Sequence, residues 1–312
     1  MQYCFGVDVG GTTVKLGLFT EEGQMLSQWS IDTRKEEQGK YVLSDVAASL
    51  QEKMEQNNLG KEDFIGIGIG VPGPVTSDGV VNHCVNLGWG KVNVEKELEA
   101  LTGLPVKAGN DANVAALGEA WQGGGKGYED VIMVTLGTGV GGGVILDGKI
   151  LTGNRGAAGE IGHIFVNSNE TDHCNCGKRG CLEQYASATG IVKEAKRILK
   201  EYEQPSSLRS IPDFSAKDIF DQAKEGDELA NVAVNRLCEY LGIALSHVAE
   251  VVDPQAFVIG GGVSKAGSIL TENISKYYNE YVMMPLRDKV FCLAQLGNDA
   301  GIYGSAKLIL GK

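Results

Sequence analysis

The chain has 312 residues, 44 of them Gly, roughly twice the usual share, and a formal net charge of −12. With 7 Pro, no Gly triplet period and 43% hydrophobic residues, it is neither collagen nor a disordered low-complexity chain, so the glycines mark tight turns or close approach. The acidic balance argues against nucleic-acid binding, and the lack of any apolar run of about 18 residues argues against a membrane span. Met1-Gln2-Tyr3-Cys4-Phe5 enters a strand pattern at once, leaving no signal peptide, so a cytoplasmic protein is expected.

Strand and helix patterns alternate along the chain, which predicts an α/β fold. Phe5–Val9 and Val14–Phe19 read as strands joined by a Gly-Gly-Thr-Thr turn, and Ser27–Asp32 alternates like a third. Val42–Met54 has helical spacing. Phe64–Gly70 alternates Ile with Gly, so one strand face has no side chains and must meet something closely. A helix at Glu95–Leu101 and a strand at Val106–Ala108 precede a helix at Ala112–Trp121, with Asp111 at an N-cap-like position. Gly123–Gly127 reads as a linker between domains. The opening pattern then returns: a strand from Val131, a Gly137-Thr138-Gly139 turn, and a strand at Gly143–Leu146 ending in the hairpin pair Asp147-Gly148. Further helices are predicted at Glu183–Lys200, at Ser215–Ala223 with a Ser215/Asp218 capping box, at Asn231–Val252 and at Asp299–Leu310. A strand at Ala256–Ile259 ends in Gly260-Gly261-Gly262, which opens a helix.

Gly137-x-Gly139-x-x-Gly142 matches the dinucleotide fingerprint literally, but a strand pattern follows where that motif needs a helix. No Gly-Lys-Ser/Thr triplet of a P-loop occurs. The favoured reading is a pair of hairpin turns facing each other across a cleft. Their backbone N–H groups and Thr hydroxyls suit phosphate oxygens. Asp8 suits Mg²⁺ held through water, and Lys15 suits phosphate charge. Among the 7 Cys, Cys4, Cys84, Cys238 and Cys292 are scattered and read as small core residues. Cys174, Cys176 and Cys181 lie within eight residues and suggest Zn²⁺ with one further ligand, for which His173 stands adjacent.

Asp8-x-Gly10-Gly11-Thr12-x-x-Lys15, Leu136-Gly137-Thr138-Gly139-Val140-Gly141-Gly142 and Gly260-Gly261-Gly262 together resemble the ATP-binding signature of the ROK sugar kinases, of the actin-like ATPase/hexokinase superfamily. The resemblance runs from Asp8 to Asn298-Asp299-Ala300-Gly301. It implies two ribonuclease-H-like domains around a central cleft, residues 1–122 plus 299–312 and residues 123–298. It implies Mg·ATP bound at Asp8, Gly10, Gly11, Thr12, Thr13, Lys15, Thr138, Gly139, Gly261 and Gly262. Gly109-Asn110-Asp111-Ala112-Asn113 is similar to the family's catalytic segment, with Asp111 as base and Asn110 orienting the sugar. The helix dipole is expected to hold the Asp111 pKa low. Gly73 in Val71-Pro72-Gly73-Pro74, Asn86 in Asn86-Leu87-Gly88-Trp89, Glu160 and His163 in Gly159-Glu160-Ile161-Gly162-His163, and Glu183 resemble the sugar-binding positions. Trp89 by itself reads as core. The resemblance makes His163 the fourth ligand of a structural zinc with Cys174, Cys176 and Cys181.

The implied activity is transfer of the ATP γ-phosphoryl group to the 6-hydroxyl of glucose by a homodimer. The alternatives are another hexose (fructose, mannose, N-acetylglucosamine or N-acetylmannosamine) or a non-catalytic sugar sensor. Some family members are repressors with an N-terminal helix-turn-helix domain. The early first strand and acidic charge argue against that form here.

Overall fold

The chain is described by a computed structural model over residues 1–311. Its strands are β1 (Tyr3–Val9), β2 (Thr13–Thr20), β3 (Met25–Asp32), β4 (Phe64–Val71), β5 (Val80–Val81), β6 (Val92–Asn93), β7 (Val106–Asn110), β8 (Val131–Leu136), β9 (Val140–Leu146), β10 (Lys149–Ile150), β11 (Ala256–Gly260) and β12 (Val290–Leu293). One sheet has the order β3-β2-β1-β4-β7 and a second the order β10-β9-β8-β11-β12. In the first, β1, β2 and β3 are antiparallel, and β4 and β7 run parallel to β1. In the second, β9 and β10 are antiparallel, and β11 lies parallel to both β8 and β12. The two orders are the same topology used twice. The sequence repeat, weak at the level of one turn per half, is therefore a whole-sheet duplication.

The chain forms two compact units, residues 1–127, 143–159 and 296–312, and residues 128–142 and 160–295. Residues 143–159 thus belong with the first unit, although chain order puts them after the start of the second. Gly143 explains the placement, since a β-carbon there would overlap that of Ala116 in the helix Asp111–Gln122.

In the first unit, Ile67 and Ile69 of β4 point into a core with Phe5, Leu16, Leu50 and Leu98, all essentially inaccessible. The opposite, glycine-lined face of β4 meets the terminal helix Ala300–Leu310. A β-carbon on Gly68 would overlap the Ser305 carbonyl, and one on Gly304 would overlap the Val114 carbonyl. The Ser305 hydroxyl, wholly buried, donates to Val7 O at 2.7 Å. In the second unit Phe257 of β11 stacks on Phe291 of β12 at 4.9 Å and meets Tyr278 edge-on.

Local signals held where they carried a mechanism. Asp147 and Gly148 both take positive φ and turn β9 into β10. The Ser215/Asp218 capping box is present on the helix Ala216–Lys224. Cys4, Cys84 and Cys238 are buried.

Three expectations change. The span Glu183–Lys200 is two helices, Glu183–Ala186 and Ala188–Glu201. Ser187 breaks it by taking an extended conformation and capping the second helix through Gly190 N. Asp111 is the first residue of its helix, and Asn110 is the cap, accepting from Asn113 N. Gly262 opens a short 3-10 turn, Gly262–Ala266, and the helix proper begins at Ser268. Among the described residues, no helix is long and apolar enough to cross a membrane.

The close approach of helix and strand gives a stability prediction. Gly68→Ala should destabilise the protein by about 3 kcal/mol, because backbone rather than a flexible side chain must yield. Gly148→Ala, strained at φ +69 but with open space around it, should cost only about 1 kcal/mol. Urea melts of the two variants check the order; equal costs would mean the helix does not press on the strand.

Candidate active site

In the first unit, the turn between β1 and β2 is fastened from two directions. Gly10 N–H donates to Thr13 O at 3.1 Å, so that donor faces into the turn. Thr33, just past β3, donates its hydroxyl to Gly10 O at 2.8 Å and its N–H to Thr12 O at 3.0 Å. Asp8 stands at the end of β1, opposite Lys15 in the ladder. Burial first, and then the neighbouring Asp111, raise Asp8 to about 6, against the lowering pull of Lys15. Lys15 also reaches the chain's C-terminal segment: its Nζ donates to Asn298 O at 2.5 Å and lies 3.9 Å from Asp299.

Asp111 is tied down on one oxygen. Its Oδ1 accepts from Ala112 N at 2.8 Å and from Asn110 Nδ2 at 3.0 Å. The dipole argument anticipated a lowered pKa here. The structure reverses that: burial raises it, and the hydrogen bonds from Ala112 and Asn110 offset only part of the rise. Asn110 is a junction rather than a free hand. Its Oδ1 caps the helix, and its Nδ2 donates to Gly73 O at 3.0 Å as well as to Asp111. Gly73, at φ +94, holds a turn that L side chains resist. Asn86 is exposed in a loop closed by paired Cys84 and Trp89 backbones. Trp89 is core, 4% exposed, with its indole N–H on Gly39 O at 3.0 Å.

In the second unit, the turn after β8 is fastened by Ala188 N–H on Gly137 O and by the Thr189 hydroxyl on Thr138 O, both at 2.8 Å. Gly261 packs against the Leu136 backbone directly before that turn, and Gly262 beside it is exposed. The Glu183 carboxylate lies against Gly139, where a β-carbon would stand 2.8 Å from Oε2. Its Oε1 accepts from the Cys174 thiol at 2.9 Å and is 3.7 Å from His163 Nδ1. Glu160 is exposed and precedes the 3-10 turn Ile161–His163. Gly162 within it sits on the Val140 carbonyl.

The donor atoms of His163, Cys174, Cys176 and Cys181 all lie within 4.8 Å of one another. Three thiols and one imidazole at that spacing fit a closed tetrahedral zinc site. His173, the rival by adjacency, turns elsewhere: Nδ1 faces Gly177 O, and Nε2 accepts from Arg179. The loop that carries these donors is braced by Glu170. Its nearly inaccessible carboxylate accepts two hydrogen bonds from Arg197, at 3.0 and 2.9 Å, and one from Tyr185 at 2.7 Å.

Two groups stood outside the motif reading. Glu170 gave no signal, because its partner Arg197 is 27 residues away. Glu119, buried in the helix Asp111–Gln122, accepts from Gly124 N at 3.0 Å and Leu296 N at 2.8 Å, holding the chain near two of the places where it passes between units.

A duplicated mixed sheet with a Gly/Thr turn in each copy is the actin-like ATPase fold. The chain belongs to the ROK family, whose model matches residues 4–312. It is similar to a glucokinase of Halalkalibacterium halodurans, 43% identical over 97% of this chain and 94% of that one. It also resembles the crystal structure of a ROK family glucokinase from Streptomyces griseus in complex with glucose and AMPPNP, with a TM-score of 0.71 and 35% identity over 98% of both chains. A ROK hexokinase from Thermus thermophilus aligns with a TM-score of 0.78 and 30% identity, over 98% of this chain and 97% of that one.

Burial alone would raise the Glu170 carboxyl, but the hydrogen bonds from Arg197, Asp172 N–H and Tyr185 outweigh it and hold the group at about 2. A folded pKa below the unfolded value of about 4.5 gives stability that is full above pH 4.5 and lost as the pH falls toward 2. That contribution is about 3 kcal/mol. Melting Glu170→Gln beside the wild type from pH 7 to pH 3 should show a shallower acid loss in the variant; parallel curves would contradict it.

Proposed function

We propose that the protein is an ATP-dependent glucokinase, transferring the γ-phosphoryl group of Mg·ATP to the 6-hydroxyl of glucose to give glucose 6-phosphate and ADP. The observation that carries this reading is Asp111. Its Oδ1 is held by Asn110 and Ala112, which leaves the other oxygen to take a proton. Similarity along nearly the whole chain to glucokinases supports the choice of sugar.

Phosphoryl transfer asks little covalent chemistry of the protein; it asks for position, charge neutralisation and a place for the hydroxyl proton. Asp111 accepts that proton as the oxygen of the sugar attacks phosphorus. Burial raises its pKa, which makes it a stronger base than an exposed aspartate. Asn110 sets the Asp111 carboxylate and fixes the Gly73 loop from the same amide. Glu160, His163 and Glu183 accept and donate hydrogen bonds to the remaining hydroxyls, with Asn86 and Gly73 on the sugar loop. The two Gly/Thr turns, Gly10–Thr13 and Thr138–Gly139, hold the phosphates, and Gly261–Gly262 borders the adenosine. Asp8 holds magnesium of the substrate through water.

His163, Cys174, Cys176 and Cys181 would hold zinc, which supplies a rigid cross-link with no open coordination position. Its effect falls on Glu183, which touches both Cys174 and His163. The same reading places the protein in the cytoplasm as a homodimer, where light scattering should return twice the chain mass.

Asp111→Asn should lower kcat by about a thousandfold, with calorimetric glucose binding retained; surviving turnover would remove Asp111 from the role of base. In the wild type, kcat should fall as the pH drops through the Asp111 pKa, since the protonated acid cannot accept the hydroxyl proton. That acid limb should lie above the ordinary aspartate value of 3.8. Glucose should give a higher kcat/KM than fructose, mannose, N-acetylglucosamine or N-acetylmannosamine, and a reversed ranking would reassign the sugar. Metal analysis should find about one zinc per chain, with Cys176→Ala losing it and melting at lower temperature. A stable, metal-free wild type would refute the zinc reading.

A further inference from the structure

The nucleotide reading gives phosphate charge to a cation beside the first Gly/Thr turn, and the motif offers Lys15. The structure shows Lys15 already engaged by Asn298 O and Asp299, and Asp299 is fixed in turn by Gln28 Nε2 at 2.9 Å. Arg34, on the segment that stitches to the turn through Thr33, is engaged as well. It forms a forked pair with Asp45 and lies over the Tyr41 ring at 4.6 Å. Lys40 pairs with Glu37 at 3.5 Å. Lys35 differs from all three. It is exposed, and a β-carbon on Gly11 would stand 3.9 Å from its ammonium nitrogen. Among the described residues, no carboxylate lies within salt-bridge distance of it.

The backbone leading to Lys35 is not loose. Thr33, 9% exposed, is bonded to the turn through both its hydroxyl and its N–H, and Lys35 O accepts from Gly39 N at 3.1 Å. The main chain of Lys35 is therefore anchored on either side, and from it the side chain reaches Gly11. We propose that Lys35 is a phosphate-binding residue of the nucleotide site, supplying at the Gly10–Thr13 turn the positive charge that Lys15 gives instead to the C-terminal segment. An unpaired ammonium beside glycine backbone is a site for an anionic oxygen, because no side chain at Gly11 stands between the cation and the turn. The proposal rests on the nucleotide reading of the turn and extends it to a residue outside the motif. It also divides the work between two lysines: Lys15 holds Asn298 and Asp299 beside Asp8, and Lys35 meets the ligand.

Calorimetric binding of Mg·AMPPNP tests this without depending on which sugar is phosphorylated. Lys35→Ala should weaken that binding about tenfold, the loss of one charge-assisted hydrogen bond. Lys35→Arg should restore most of it, and glucose binding and the melting temperature should stay at wild-type values. Lys15→Ala should lower the melting temperature and weaken Mg·AMPPNP less than Lys35→Ala does. Wild-type affinity in Lys35→Ala, an equal loss of glucose binding, or a larger nucleotide defect in Lys15→Ala would each overturn the assignment of Lys35. A wild-type protein that does not bind Mg·AMPPNP would instead overturn the nucleotide reading itself.

Discussion

The C-terminal helix lies on the first sheet at backbone distance, and the chemistry of the first unit follows from that contact. Gly68 and Gly304 allow it, because a side chain at either would overlap a main-chain carbonyl. The same approach puts Gly301 directly against the Asp8 carboxylate and brings Asn298 and Asp299 to Lys15. The start of the terminal helix thus completes the environment of a residue on the first strand. Asp8 is half-buried there, and its raised pKa is the cost of that enclosure and of having Asp111 as a neighbour.

The second unit reaches a similar result by different means. Its Gly/Thr turn is held from within the unit: Ala188 and Thr189 fasten it from the start of a helix, and Gly261 packs behind it on Leu136. Glu183 stands between the turn and the cluster of three thiols and one imidazole. The loop that brings the cluster together is long and nearly free of regular structure, so it needs external bracing. Glu170 and Arg197 supply that brace: the carboxylate is buried, its oxygens are satisfied by Arg197, Tyr185 and the Asp172 N–H, and the half-buried guanidinium closes it from the solvent side. Sheet duplication gave both units a place for a turn, and divergence decided what surrounds each one.

Much of this was legible in the residues. The Ile/Gly alternation of Phe64–Gly70 announced a bare face, although only the fold shows that Ser305 and Ile309 cover it. The strand at Gly143–Leu146 correctly set aside the dinucleotide reading of Gly137–Gly142, because a hairpin follows that turn. The three crowded cysteines pointed to zinc and the family resemblance to His163; spacing alone left His173 open, since adjacency in sequence does not fix where an imidazole points, and the structure puts His163 with the thiols. What could not be read were effects of burial and of distant partners. Asp111 at a helix start suggested a low pKa, but the burial that raises it exists only in the folded chain. Ser187 interrupted a helix whose periodicity ran through it. The engagement of Lys15 by Asn298 involves a separation of 283 residues, beyond any local pattern.

The account turns on Asp111 as the group that takes the proton from the attacking hydroxyl. A crystal structure of the protein with glucose bound tests it most directly. The account predicts the 6-hydroxyl oxygen within hydrogen-bonding distance of Asp111, on the carboxylate oxygen not held by Asn110, with Glu160, His163 and Glu183 on the other hydroxyls. A sugar bound with its 6-hydroxyl away from Asp111, or held by none of the three, would contradict it.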